Sequence, residues 1–325
     1  MNLKKIKNNL CFMFYPIVFL RAMSLAKQIR ALKKDGYIVF MLFWKMGDII
    51  LSTRIVHEVK KKNPSAKICY IASESFKFAI KDNSEIDEVL TVKMYGNGRL
   101  SDVLNASLWF LCRKFVERSR QFDKRYFLQI YPEYIGDLRN YKKHLIDFYA
   151  EKVNIKLGSR NPYFLTKKNN EEFFEELCNK KGLKKKMYVV IGHIASAREK
   201  TWPIEKFEEL GREILKTNPS LKIIFIGAKE DRYPKDKRFI LIKGENLGNV
   251  AEIIKNSRIF VGLDSGLIHL ATAFNQHIFG IYSGYAPLTL SSPLSKNLTI
   301  VKSNNLKKLK VSEVFNKIKN NLQFV

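Results

Sequence analysis

From Tyr37 onward the chain alternates short apolar runs with longer amphipathic stretches. Tyr37 to Phe43 is apolar throughout and of strand length, and Ile49 to Lys62, ended by Asn63-Pro64, carries apolar residues at helical spacing. Lys67 to Ala72, Glu88 to Val92 and Arg125 to Ile130 read as further strands with helical stretches between them. Breaks fall at Gly96-Asn97-Gly98 and from Pro132 to Gly136, where turns are expected. The composition shifts at 158–170, a stretch holding Gly-Ser-Arg-Asn-Pro and Lys-Lys-Asn-Asn, which reads as a linker. Beyond it the alternation restarts with a helix from Glu171, strands Tyr188–Ile191, Lys222–Ile226 and Phe239–Ile242, and helices Ile204–Lys216 and Asn249–Lys255. Val311 to Leu322 reads as an amphipathic helix. Strands alternating with helices predict parallel sheets covered on both faces, in two successive α/β halves, 37–157 and 171–325.

The most ordered stretch is Arg258 to Ser283. Two strand patterns there, Ile259–Val261 and His277–Tyr282, flank the turn Asp264-Ser265-Gly266, which opens a helix reaching Phe274. Asp264 or Ser265 can cap that helix, whose first N–H groups have no partner inside it. Such a helix start, beyond the carboxyl end of a parallel strand, suits an anion, and His269 falls one turn in. An ordinary capped unit with a core histidine fits these residues equally well.

Residues 1–36 break the pattern. The apolar run Leu10–Leu20 contains Pro16 and spans eleven residues, against about twenty for a membrane-crossing helix. Eight bases and one acid surround it. Two readings stand: a basic extension lying on an anionic cytoplasmic leaflet, or a helix packed on the protein itself. Across 325 residues the formal charge is +27, with lysines scattered in twos and threes, so the charge reflects a general compositional bias more than one binding face. Four cysteines without a CxxC pair indicate neither a zinc site nor a disulfide framework, and fit a reducing compartment.

In open α/β sheets ligands bind beyond the carboxyl ends of the strands, so the loops there carry the chemistry. After the first strand come Met46-Gly47-Asp48, where Asp48 is either a helix cap or a carboxylate able to take a proton from an attacking hydroxyl. After Tyr188–Ile191 come Ser196 and Lys200, types suited to hydrogen-bonding and neutralising a phosphate, with Trp202-Pro203 starting the next helix. After Lys222–Ile226 comes Glu230, where an acid could accept hydrogen bonds from a ribose. No GxGxxG follows a strand and no GxxxxGK[ST] occurs, which argues against a dehydrogenase and a P-loop enzyme. There is no DxD.

Met46-Gly47-Asp48, Lys200-Thr201-Trp202-Pro203 and Asp264-Ser265-Gly266-Leu267-Ile268-His269, in this order, resemble the bacterial heptosyltransferase-like glycosyltransferases of family 9 over roughly residues 37–285. The resemblance implies an α/β GT-B fold, two Rossmann-like parallel-sheet domains facing across a cleft, the first on the acceptor side and the second binding the nucleotide sugar. It implies inverting transfer of a sugar, typically heptose from ADP-heptose, to a lipopolysaccharide or lipooligosaccharide core, with no obligatory metal or cofactor. Asp48 would be the catalytic base. Ser196, Lys200, Glu230, Asp264, Ser265, Gly266 and His269 would hold the donor. The partners so implied are an ADP-linked sugar and an anionic glycolipid, not nucleic acid, and the location is cytoplasmic, peripheral on the inner membrane. The family often has paired hydroxyl residues where this chain has Ala195-Ser196-Ala197, and residues 1–36 lie outside its pattern. A non-catalytic binder of anionic lipid or nucleic acid and a GT-B nucleotide-sugar epimerase are the alternatives. His57 and His144 read as surface residues, while His193, at a strand end, could be either core or site.

Overall fold

Residues 3–96, 99–129, 143–284 and 287–322 are described in the computed structural model, with side chains described from Pro16 onward. The expected turn at 132–136, the last residue of the expected fourth strand and Asn97-Gly98 lie outside them. The chain divides into two units, 1–141 with 146–158, and 142–145 with 159–325.

The first unit holds α1 (Leu3–Arg30), β1 (Tyr37–Met41), α2 (Met46–Lys62), β2 (Lys67–Ser73), β3 (Glu88–Val92), α3 (Arg99–Arg118), β4 (Phe122–Phe127) and α4 (Leu145–Val153). Its sheet is parallel, in the order β3-β2-β1-β4. The central strands, β1 throughout and β2 between Lys67 and Ser73, are apolar because both faces are covered. β4 lies at an edge and starts three residues earlier than its apolar run suggests, since an edge strand can expose Asp123 and Lys124. Leu128 and Gln129 follow it, and the Gln129 side chain accepts a hydrogen bond from the Phe43 N–H at 3.0 Å.

Of the two readings of residues 1–36, the helix packed on the protein itself is the one seen from Pro16 onward. Val18, Ala22, Leu25 and Ile29, at helical spacing on α1, are buried with Val39, Met41 and Leu108 in the core of this unit. The Gln28 side chain also bonds both backbone groups of Thr91, at 2.8 and 3.0 Å, tying α1 to β3.

The second unit holds α5 (Lys168–Lys181), β5 (Tyr188–Gly192), α6 (Ile204–Thr217), β6 (Lys222–Gly227), β7 (Ile240–Lys243), α7 (Leu247–Lys255), β8 (Ile259–Leu263), α8 (Gly266–Ala273), β9 (His277–Tyr282), α9 (Leu288–Ser291), β10 (Leu298–Lys302) and α10 (Val311–Ile318). Its parallel sheet runs β10-β9-β8-β5-β6-β7. The unit's first strand, β5, therefore sits inside the sheet, with later strands laid outward on both sides. That order reverses between β5 and β8, and the crevice at such a reversal is where doubly wound sheets bind ligands. In the first unit the same reversal falls between β1 and β4. α5 begins at Lys168, inside the expected linker, and Asn170 there is buried against α7, donating to the Asn249 side chain at 2.9 Å.

Candidate functional site

Strand register brings together loops that are far apart in sequence. Gly192 of β5 lies opposite Gly262 of β8, which lies opposite Gly280 of β9. This row of three glycines leaves the sheet bare where α8 settles on it. A Cβ at Gly262 would stand 2.5 Å from the Phe260 ring, one at Gly280 would meet Tyr282 at 2.5 Å and Ile268 at 3.0 Å, and one at Gly192 would meet Phe260 at 2.9 Å. The start of α8 and the loop after β5 are thus seated at the reversal point by close approach, a constraint invisible until the register is known.

Ser265 occupies the N-cap position of α8, but its side chain makes no capping hydrogen bond. Its hydroxyl oxygen is buried and has no partner. Asp264 does not cap either: its carboxylate is ion-paired with the Lys200 ammonium, both side chains being largely buried. Lys200 is brought there by a 3-10 turn, Arg198–Lys200, closed by Lys200 N–H to Ala197 and Thr201 N–H to Arg198. That turn is anchored by Trp202, fully buried, whose indole N–H donates to the Leu309 carbonyl at 3.2 Å.

His269 is buried one turn into α8. Desolvation pushes its pKa down to about 4; Asp264 pulls it back upward, while His144 and Lys200 depress it further. At neutral pH it is an uncharged imidazole, so it can offer a hydrogen bond to a phosphate but no positive charge. The Tyr282 hydroxyl, at the end of β9, is buried without a partner, and burial together with Asp264 holds it protonated.

Two of these groups were not expected from the sequence. His144, read as a surface residue, is buried in the second unit and its Nε2 lies 2.9 Å from the Ser292 carbonyl, 148 positions away. Nothing local signals this, since Lys142 and Lys143 beside it suggest solvent. Tyr282 looks like an ordinary strand residue. Gly266 is the first residue of α8, as expected. Ser196 and Glu230 sit on the loops after β5 and β6, both exposed. His193 is a core residue: its Nε2 lies 2.9 Å from the Arg232 carbonyl, its ring packs among Phe207, Phe225 and Tyr233, and burial lowers its pKa. His57 is not exposed either; its Nδ1 meets Glu85 at 2.8 Å.

In the first unit Asp48 lies on the first turn of α2, at the reversal point, three residues past the N-cap Lys45. It does not cap the helix. Its charge is felt by two buried tyrosines, Tyr70 and Tyr149, whose hydroxyls burial already holds protonated. Tyr70 is hydrogen-bonded to the Ser52 hydroxyl at 2.6 Å. Among the described residues no three His, Cys, Asp or Glu side chains converge as a metal-binding group.

The sequence pattern of glycosyltransferase family 9 (heptosyltransferase) matches residues 131–319, more than half of the chain. The chain belongs to glycosyltransferase family 9. Solved structures agree on the fold. A glycosyl transferase family 9 protein from Veillonella parvula superposes with a TM-score of 0.66 over 90% of this chain and 99% of its own, at 16% identity. The ADP-heptose lps heptosyltransferase II of E. coli follows at 0.64, 88%, 98% and 15%. The E. coli heptosyltransferase WaaC, solved with ADP, gives 0.59, 88%, 99% and 15%. At such identities the likeness is one of fold, and the fold of this family 9 member is GT-B, with two parallel α/β sheets. No curated protein sequence matches the chain.

Proposed function

We propose that this family 9 glycosyltransferase transfers a heptose, with inversion, from ADP-heptose to the inner core of a lipopolysaccharide or lipooligosaccharide. The observation that carries the donor half is the ion pair of Lys200 with Asp264 beside the uncapped start of α8, at the reversal point of the second sheet. A leaving diphosphate needs its growing charge met by fixed donors. The ammonium of Lys200 supplies charge, and Asp264 fixes where that ammonium stands. The N–H groups at Ser265 and Gly266 point along the helix dipole, and the unpartnered Ser265 hydroxyl can turn toward a phosphate oxygen. His269 adds a neutral N–H. Ser196 contacts the diphosphate and Glu230 the ribose. ADP and ADP-heptose are named for the solved relatives, which supports this donor.

Asp48 is the base in this reading. It stands on the first turn of α2 with its charge felt by Tyr70 and Tyr149, and it takes the acceptor hydroxyl's proton as the oxygen attacks the anomeric carbon opposite the departing diphosphate. One displacement gives inversion, with Lys200 and the helix end supplying the electrostatic stabilisation a metal gives in other transferases. The acceptor is an anionic glycolipid, so the enzyme works from the cytoplasm at the membrane surface. The test is ADP release from ADP-heptose, with and without core oligosaccharide, in the wild type and in Asp48→Asn. A rate lowered about 10²–10⁴-fold with ADP binding retained is expected. Undiminished transfer in the variant removes Asp48 from its role, and acceptor-independent conversion of the donor points to an epimerase.

A further inference from the structure

Among the described residues, five of the seven large apolar side chains left exposed lie on just two helices: Ile17, Phe19 and Leu20 on α1, Leu100 and Phe110 on α3. The two helices pack against each other over one face of the first unit's sheet. Both enter the same core, α1 through Val18, Ala22, Leu25 and Ile29, α3 through Leu104, Leu108, Cys112 and Val116. Helical periodicity then fixes what faces outward. Leu20, 68% exposed, and Ile17, 50%, fall away from the α1 stripe, and Phe110, 45%, falls opposite the α3 stripe. Phe19 of α1 and the half-buried Phe115 of α3 meet ring to ring at 6.4 Å, which joins the two helices beside these faces.

Charge says what covers it. Residues 17–34 carry five bases, Arg21, Lys27, Arg30, Lys33 and Lys34, and no acid. The last four are exposed. α3 adds exposed Lys114 and Arg118, while its Glu117 is held by Arg113 at 2.7 Å and Asp102 stands at its start. No described helix is long and apolar enough to cross a membrane. An apolar face rimmed by bases, on a helix that does not cross, suits the interface of an anionic bilayer, where apolar side chains enter below the headgroups and bases meet lipid phosphates.

We infer that the outer face of the α1–α3 pair, and not residues 1–36 by themselves, is the surface that docks this protein on an anionic lipid bilayer. The inference deepens the membrane contact of the reading above but does not depend on the sugar or the base. The full chain should sediment with vesicles of phosphatidylcholine mixed with phosphatidylglycerol, and far less with phosphatidylcholine alone. Leu20→Asp with Phe110→Asp should lower its partition at least about tenfold, and so should the charge reversals Lys27→Glu, Arg30→Glu, Lys33→Glu and Lys34→Glu together. Circular dichroism and the thermal shift with ADP should be unchanged. Three results overturn it: a wild type that stays in solution with the mixed vesicles, a Leu20/Phe110 variant that sediments like the wild type, or a wild-type dimer that this variant converts to monomer. The last assigns the face to a second copy. Since vesicle binding is read without sugar transfer, loss of one with the other intact shows which reading has failed.

Discussion

Burial makes His269 an uncharged hydrogen-bonding group at neutral pH, and this sets its pH behaviour. Its pKa falls from an ordinary 6.5 in the unfolded chain to about 4 when folded. Between those values the unfolded state binds more protons, so stability is full above pH 6.5 and is lost as the pH drops toward 4. His193 is shifted in the same direction. Thermal melts over this window should fall with pH, and His269→Gln should flatten part of the slope. A bound diphosphate favours the protonated imidazole, so ADP binding near pH 5 should take up a proton, read by calorimetry in buffers of different ionisation enthalpy. The pair Lys200 and Asp264 offers a second separation. Lys200→Met leaves a largely buried carboxylate unpaired, at up to about 3 kcal/mol of stability. Adding Asp264→Asn should restore the melting temperature but not ADP affinity. Asp264, Ser265, Gly266 and His269 are visible in sequence because they crowd into six positions at one strand–helix turn. His144 and Tyr282 are not, since each joins the site through the fold alone. The charge of His269 is likewise unreadable, because types in a motif say nothing about desolvation.

At the scale of elements, the strands and helices flanking apolar runs follow from periodicity, and where expectation and structure part the cause is tertiary. β4 exposes Asp123 and Lys124 because it lies at an edge, and β10, Leu298–Lys302, escapes notice because it is another edge strand with half-exposed side chains. α1 is where the sequence left two readings open. Its bases and its proline suggest a segment outside the fold, yet its apolar stripe is part of the core. Deleting residues 1–30 should therefore destabilise the first unit rather than leave it untouched, since each of Val18, Leu25 and Ile29 contributes about 1.5–3 kcal/mol by burial. Chemical denaturation of the truncated chain checks this, and an unaltered midpoint would contradict it. The glycine row makes a matching case in the second unit. Gly262→Ala places a methyl 2.5 Å from the Phe260 ring, and an overpacking cost of about 1–3 kcal/mol is expected, partly relieved by Phe260→Leu.

For the whole molecule, two parallel sheets, each with a reversal of strand order, put one candidate group apiece at the place where such sheets bind ligands: Asp48 at the first, the Lys200–Asp264 pair with α8 at the second. The α/β class was legible because helix and strand periods alternate so regularly; strand order was not, as it depends on pairings no local pattern encodes. The net charge of +27 says little about fold, but it favours encounter with anionic partners, and binding of ADP and of anionic vesicles should both weaken as salt rises.

The packing of α1 on α3 also bears on how the chain is made. The core that buries Val18 and Leu25 includes Val39 and Met41, Leu90 and Val92, and Leu104, Leu108, Cys112 and Val116, and the last four leave the ribosome some eighty positions after α1 does. At about 5–20 residues per second, the nascent helix waits on the order of ten seconds for the α3 part of that core. Through that interval the stripe is only partly covered, so the unit's core closes late in synthesis of its first half, when α3 arrives.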